Sequence, residues 1–373
     1  MGAEGIFNLS VWETVPFHFW TVLFFVLGCI VGSFLNVCIH RMPLDISIVS
    51  PPSHCPHCKY TIPFYLNIPL LTWVARHGRC KNCGAPISFR YFLVELLTGL
   101  AFLSCWLKFG SPEHPLGTLP LAMVMAIFLA GLIVATFIDL EHFIIPDEIT
   151  LGGIVLGFAL SFLLPELHGA TENGTALGRS VLGIAAGAGM VYTILRLGKL
   201  MFGRQLFKLE PGAKIIFTET TLCLGEREIP YEEIFYRRSD TIRFTARRVE
   251  LVDRCYADVD IRLSPAALQI GEEKLDPADV PYLEAWCESI VLPREAMGLG
   301  DVKFMGAIGA FIGWQGALFS LMISSLIGAL AGVGLILLRR REWSSRMPYG
   351  PYIALAAVLW VFAGPKILAL IFP

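Results

Sequence analysis

The stretch DVKFMGAIGAFIGWQGALFSLMISSLIGALAGVGLILL, Asp301–Leu338, decides the fold. After Lys303 it carries no charged residue in this run. As a single helix its 38 residues would extend about 57 Å at 1.5 Å per residue, well beyond a hydrocarbon core of about 30 Å. A break at Gly313-Trp314 resolves the mismatch, leaving a short helix, Val302–Ile312, and a full one, Gln315–Leu338. Working outward, comparable apolar runs occupy Phe19–Ile39, Tyr91–Leu107, Leu119–Ile138, Ile149–Leu164, Val181–Leu200 and Tyr352–Ile371. The expected fold class is an all-α polytopic membrane protein of about eight transmembrane helices.

Composition agrees. Of 373 residues 55% are hydrophobic and 16% charged, against about 25% charged in ordinary domains. The charge is also uneven: Arg204–Glu295 holds 18 of the 31 acids and 13 of the 29 bases. A nucleic-acid binder, a secreted disulfide scaffold and a disordered chain are all excluded. The net charge of -2 says nothing about partners, because the charges sit in separate compartments.

Sidedness follows from Lys and Arg. Six lie in the Arg41–Arg90 loop, and others follow the fifth run (Arg196, Lys199, Arg204) and the seventh (Arg339, Arg340, Arg341, Arg346). The opposite loops offer only Lys108 and Arg179. Eight spans then place both termini outside and the basic segments in the cytoplasm. The first run lacks a basic preceding stretch, so it is read as a span and not as a cleaved signal. The expected organisation is a first helix (1–40), a cytoplasmic metal-binding loop (41–90), helices two to five (91–202), a cytoplasmic α+β insertion (203–293), and the final helices (294–373).

Within the insertion, Thr241-Ile242-Arg243-Phe244-Thr245 and Val249-Glu250-Leu251-Val252 alternate as strands do. Asp276-Pro277-Ala278-Asp279 predicts the start of a short helix continuing through Glu284-Ala285-Trp286. Cys223, Cys255 and Cys287 have no metal-ligand spacing.

The first loop differs. Cys55-Pro56-His57-Cys58 and Cys80-Lys81-Asn82-Cys83 form two C-x-x-C knuckles, which supply four thiolates in an arrangement suited to structural zinc. Disulfides rarely persist in the cytoplasm. Four sulfurs leave no open position for catalysis, and His54 and His57 are flanking groups.

The chemically informative acids stand at helix ends. Asp139 closes the third run and Asp301 opens the sixth, both near the cytoplasmic boundary. Two carboxyls gathered in a low-dielectric pocket share one proton, so one can activate water while the other polarises a carbonyl. Gly298 and Gly300 would let the chain turn tightly before Asp301. Other readings stay open on the residues alone. Asp301 can be a helix cap, Asp147 a cap for the fourth run, and Glu141, Asp147 and Glu148 rival Asp139. A transporter with a zinc-stabilised loop, or a membrane scaffold, would also fit the spans, although no Asp, Glu or Arg sits mid-helix apart from Glu95 near the start of the second.

At these residues the chain resembles the type IV prepilin leader peptidases, membrane aspartic peptidases of the G-x-G-D class. The resemblance runs in order through Gly32–Val37, His40–Pro43, the two C-x-x-C pairs with Asn67-Ile68-Pro69-Leu70 between them, and Arg90-Tyr91 with Glu95-Leu96. It continues through Ile138–His142 with Ile145-Pro146-Asp147, Gly298–Lys303 and Tyr349–Tyr352. It implies Asp139 and Asp301 as the catalytic pair, with Gly298, Gly300, Lys303 and Asp147 supporting them. It also implies prepilin or pseudopilin substrates cut at the cytoplasmic face of the bacterial inner membrane, after a basic leader and before a hydrophobic helix. Methylation of the new N-terminus with S-adenosylmethionine is a further implication, with no binding residue to name. The chain departs from the family pattern by its insertion of about 90 residues before the G-x-G-D helix, either a docking module or a tolerated passenger.

Overall fold

The computed structural model describes residues 12–13, 15–63, 66–210, 212–225, 227–235, 240–293, 298–338 and 347–371. The chain divides into two compact units, Met1–Tyr192 with Leu299–Pro373, and Thr193–Gly298.

The first unit is helical. Its long described helices are α1 (Phe17–Arg41), α2 (Phe89–Phe109), α3 (Pro115–His142), α4 (Asp147–Leu163), most of α5 (Asn173–Phe202), α6 (Leu299–Leu337) and α7 (Gly350–Ile371). Five described helices, α1, α2, α3, α5 and α6, are long and apolar enough to cross a membrane. Lipid offers no hydrophobic drive between such helices, so they associate where small residues let backbones approach. On α1, a Cβ at Gly28 would lie 2.7 Å from the Thr98 carbonyl of α2, and one at Gly32 would lie 2.7 Å from the Cα of Glu95. On α5, a Cβ at Gly183 would run into the Gly309 carbonyl of α6.

α6 breaks where its length demands. Gly313 has φ 71° and ψ 179°, a conformation that only glycine takes without strain. A broken helix in a membrane is tolerated where neighbours satisfy the freed backbone groups. Here the Ser180 hydroxyl donates to the Ala310 carbonyl at 3.1 Å.

Among the described residues the second unit contains ten strands in one antiparallel sheet: β1 (Arg204–Lys208), β2 (Lys214–Phe217), β3 (Thr221–Leu224), β4 (Arg227–Pro230), β5 (Ile242–Glu250), β6 (Cys255–Ser264), β7 (Ala267–Ile270), β8 (Glu273–Leu275), β9 (Leu283–Trp286) and β10 (Ser289–Pro293). The order is β4-β3-β2-β9-β5-β6-β7-β8, with β10 pairing both β1 and β5. The first alternating motif lies in β5 from Ile242 on, and the second only as far as Glu250, the strand ending before Leu251-Val252. Ile242, Phe244, Ala246 and Val249 of β5 enter the core with Ile215, Leu222, Ile261 and Ile290.

The helix expected over 276–286 is corrected. Asp276 does cap a turn, accepting the Ala278 amide at 3.0 Å, but that turn is 3₁₀ and ends at Asp279. Pro281 disfavours helix at Val280 and cannot donate to a continuing helix. The following residues alternate, Leu283 and Ala285 inward, as β9 between β2 and β5.

Candidate active site and metal centre

Asp139 lies on the last full turn of α3, 5% exposed. Its Oδ2 accepts the backbone N–H of Gly350 at 2.8 Å. Gly350 is the first residue of α7, where helix amides have no partner within the helix, so the carboxylate satisfies one of them and is itself held in place. A Cβ at Gly350 would stand 2.8 Å from that same oxygen, which is why the position must be bare.

Phe143, in the left-handed region at φ 56°, ends α3 and turns the chain toward Ile145. Ile145 is the hub of this corner. Its side chain reaches the Gly350 position, and its backbone and Cβ stand 3.6 Å from where a Gly300 Cβ would be. Asp301 follows Gly300 in the first turn of α6 and is half-buried. The ends of α3, α6 and α7 therefore converge around Ile145, and both expected aspartates belong to them.

The expected acids divide by their partners. Asp147 is the first residue of α4 rather than its cap, which is Pro146, and it makes no capping bond. Its carboxylate instead takes Lys303 at 2.6 and 2.9 Å, joining the starts of α4 and α6. Glu141 pairs with Arg90 at the start of α2. Gly300 is a helical residue at contact distance from Ile145, so it gives close packing where a tight turn was expected. Gly298 precedes the helix and is exposed, and 294–297 lie outside the described residues. The sequence reading gave no role to the Gly350 amide. Its signal was a glycine opening an apolar helix within Tyr349–Tyr352.

Further motif residues meet between α1, α2 and the first loop. Buried Glu95 accepts the Leu70 amide at 2.7 Å, and buried Asn36 donates to the Tyr91 carbonyl at 3.0 Å. Arg41, also buried, donates to the carbonyls of Ser47 and Pro51 at 2.9 and 2.7 Å, anchoring the start of the loop.

In that loop the sulfurs of Cys55, Cys58, Cys80 and Cys83 all lie within 4.8 Å of one another. Cys55–Cys83 is 3.8 Å and Cys58–Cys80 is 3.9 Å. Disulfide sulfurs stand about 2.05 Å apart. Ligands about 2.3 Å from a tetrahedral metal stand about 3.8 Å apart, so the donor set fits a four-coordinate ion. The two knuckles repeat each other bond for bond. The Cys55 amide donates to Tyr60 and that of Lys59 to Cys55, while the Cys80 amide donates to Ala85 and that of Gly84 to Cys80. The bridges His54–Thr61 and Arg79–Pro86 close the two at equivalent positions. Gly84 (φ 72°) has its counterpart in Lys59 (φ 57°), a left-handed lysine that spacing alone did not reveal. The Tyr60 backbone bond, with help from Asn82, pulls the Cys58 thiol down to about 6, and the amides of Cys83 and Asn82 lower Cys80. The knuckle backbone thus favours the thiolate that a metal binds at Cys58 and Cys80. At Cys83 the Ala85 backbone bond acts the same way, but burial and the neighbouring sulfurs push that thiol up to about 11.

Comparison with known proteins places two family models on the chain. Residues 26–109 match the Bacterial Peptidase A24 N-terminal domain, and residues 126–209 with 280–333 match the Type IV leader peptidase family. The interruption between the latter two stretches falls within the strand unit. A prepilin leader peptidase/N-methyltransferase of Aeromonas hydrophila is 28% identical over 369 residues, covering 91% of this chain and 90% of its own. One of Myxococcus xanthus is 48% identical over 156 residues, 41% of this chain and 44% of its own. A type 4 prepilin-like proteins leader peptide-processing enzyme of Escherichia coli is 34% identical over 227 residues, covering 56% of this chain and 78% of its own. No solved structure matches the chain. With the segments around Asp139 and Asp301 inside matched stretches and these relatives alongside, the chain belongs to the type IV leader peptidase family.

Proposed function

We propose that this chain is a multi-pass inner-membrane aspartic endopeptidase that removes the short basic leader from type IV prepilins or pseudopilins at the cytoplasmic face. Asp139 and Asp301 are its acid–base pair, and in the same reading the helices make eight spans with both termini outside. The convergence of α3, α6 and α7 on Ile145 carries the assignment, because it gathers the two aspartate-bearing ends.

In this reading the ionised carboxyl takes a proton from water as its oxygen attacks the scissile carbonyl. The protonated carboxyl gives its proton to the carbonyl oxygen. Collapse of the tetrahedral intermediate breaks the C–N bond, and a proton passes to the departing amine. The Gly350 amide fixes one oxygen of Asp139, leaving Oδ1 to face the reacting atoms. The four cysteines hold structural zinc, which stiffens the loop anchored by Arg41 and Glu95.

The names of the relatives extend the reading to N-methylation of the new terminus. S-adenosylmethionine supplies the methyl group when bound. Among the described residues no glycine-rich strand–turn–helix cradle fits its nucleoside.

Co-expression with a prepilin-like substrate and mass spectrometry of the substrate's N-terminus test both activities. The expected product lacks its leader and carries one added methyl group. Intact leader in the presence of well-expressed wild-type chain, or normal cleavage by Asp301→Asn, would sink the assignment.

A further inference from the structure

The strand unit joins its membrane helix with almost no slack: α5 ends at Phe202 and β1 begins at Arg204. At about 3.5 Å per residue, Arg204 stands within one or two residue lengths of a helix long and apolar enough to cross the bilayer. At the other end β10 stops at Pro293 and α6 starts at Leu299. β1 and β10 pair directly, with Arg204 opposite Pro293, Leu206 opposite Val291 and Lys208 opposite Ser289. The tethered end of the sheet is therefore a single two-stranded ribbon.

The register extends this ribbon into a charged face. Val291 stands opposite Arg243 of β5, and Arg243 opposite Arg262 of β6. Alternation turns Arg204, Leu206, Lys208, Arg243 and Arg262 away from the core, and all five are exposed, Leu206 at 57%. Two arginines directly opposite on neighbouring strands repel each other unless an anion covers them. Among the described residues none of the four cations has an ion-pair partner. Asp260 is an acid on the same face, and the Thr245 hydroxyl bonds it at 2.6 Å. Elsewhere in this unit Lys214, Arg247, Arg248 and Arg254 all have carboxylate partners.

We infer that this face of β1, β10, β5 and β6 docks on the anionic phospholipid headgroups of the bilayer that α5 and α6 cross. Arg204, Lys208, Arg243 and Arg262 contact phosphates, and Leu206 enters the boundary between headgroup and acyl chain. Cations grouped around an exposed apolar side chain are the combination that binds anionic membrane surfaces. Covalent connection at both ends leaves little entropy to lose on docking, so four cations and one leucine suffice where a free domain would need more. The inference rests on the membrane reading of α5 and α6 and is independent of the aspartate chemistry.

The test uses the full chain in nanodiscs of phosphatidylcholine alone or with about 30% phosphatidylglycerol, a fraction that gives a strongly negative surface. Acetylation of Lys208 is followed by mass spectrometry, with exposed Lys59 of the first loop, outside the strand unit, as the internal control. Phosphatidylglycerol is expected to slow Lys208 labelling at least about threefold, and high salt to restore it. The variant Arg204→Gln/Arg243→Gln/Arg262→Gln keeps Lys208 and the core, and should lose the lipid-dependent protection. Equal Lys208 labelling in both discs overturns the inference. So does protection reproduced in phosphatidylcholine by inorganic phosphate, which would mean a free-anion site. Protection seen only in native membranes, and not in protein-free lipid, overturns it in favour of an acidic protein partner. Prepilin cleavage in the same discs separates failure here from failure of the peptidase assignment.

Discussion

In the helical unit Asp139 is 5% exposed with Gly350 on one oxygen, whereas in the strand unit Arg247 and Glu288 pair with side chains 70% and 59% exposed. The same residue types behave differently because the surroundings differ. A polar group among apolar helices must be matched to a partner, since an unmatched one costs several kcal/mol, about the order found for backbone groups in lipid. Glu95 and Arg41 follow that rule, each buried and bonded to backbone, while Asn36 follows it by half, its amide nitrogen on the Tyr91 carbonyl and its Oδ1 without a partner. On the sheet surface water competes for every bond, and an exposed pair is worth about 0–1 kcal/mol. Charge in the helical unit therefore marks a site residue by residue, while charge in the strand unit carries meaning only as a pattern over a face.

The sharpest way to break this contrast is Asp139→Asn or Asp301→Asn. Either should lower prepilin cleavage by roughly 10⁴-fold, as loss of a catalytic group that works in a unit does, while the chain stays membrane-inserted. Quantitative mass spectrometry of substrate N-termini reads the effect, and near-normal cleavage would dissolve the special status of these two acids.

Next in size is the four-cysteine centre. Cys58→Ser with Cys83→Ser should abolish stoichiometric zinc by elemental analysis and open the loop to trypsin at Lys59, Arg76, Arg79 and Lys81. Wild-type protein stripped by chelator should show the same cleavage. Well-folded wild-type protein without metal would count against the centre.

Smaller again is the packing of α5 on α6. Gly183→Val forces a side chain against the Gly309 carbonyl and should destabilise the chain by about 1–3 kcal/mol, measured by unfolding in detergent. The same substitution at Gly212, where no atom lies within 4 Å of the Cβ position, would meet only the strain of φ 84°.

The smallest effect belongs to the sheet surface. Lys214, at 2.6 Å, and then Tyr282 hold the Glu284 carboxyl below the usual range. A depressed folded value contributes stability that is present above the unfolded value of about 4.3 and is lost as pH falls through the folded one. Glu284→Gln should therefore lower stability slightly at neutral pH and flatten the acid limb below about pH 4.3. An unchanged limb, followed by circular dichroism, would remove Glu284 from the account.

Much of this was legible because the signals are local. Gly313 breaks α6 at the position that bilayer thickness required, and two C-x-x-C pairs are two turns of chain. What failed was also local. The acids and alanine of 276–286 favour helix, but Pro281 and the inward alternation of Leu283 and Ala285 gave the segment to the sheet. Asp147 has the chemistry of a cap, yet α4 takes Pro146 as its cap, so Asp147 falls inside the helix and its carboxylate goes to Lys303.

By itself the sequence determined the apolar helices, the break, the knuckles and the ordered motifs, because each is written within a few turns of chain. Only the tertiary structure decided which acids keep company. Asp139 meets Gly350 across 211 residues, Lys303 meets Asp147 across 156, and Arg243 faces Arg262 through strand register. Such contacts depend on how helices and strands pack, and packing is set by the shape of whole faces, which no short stretch of sequence contains.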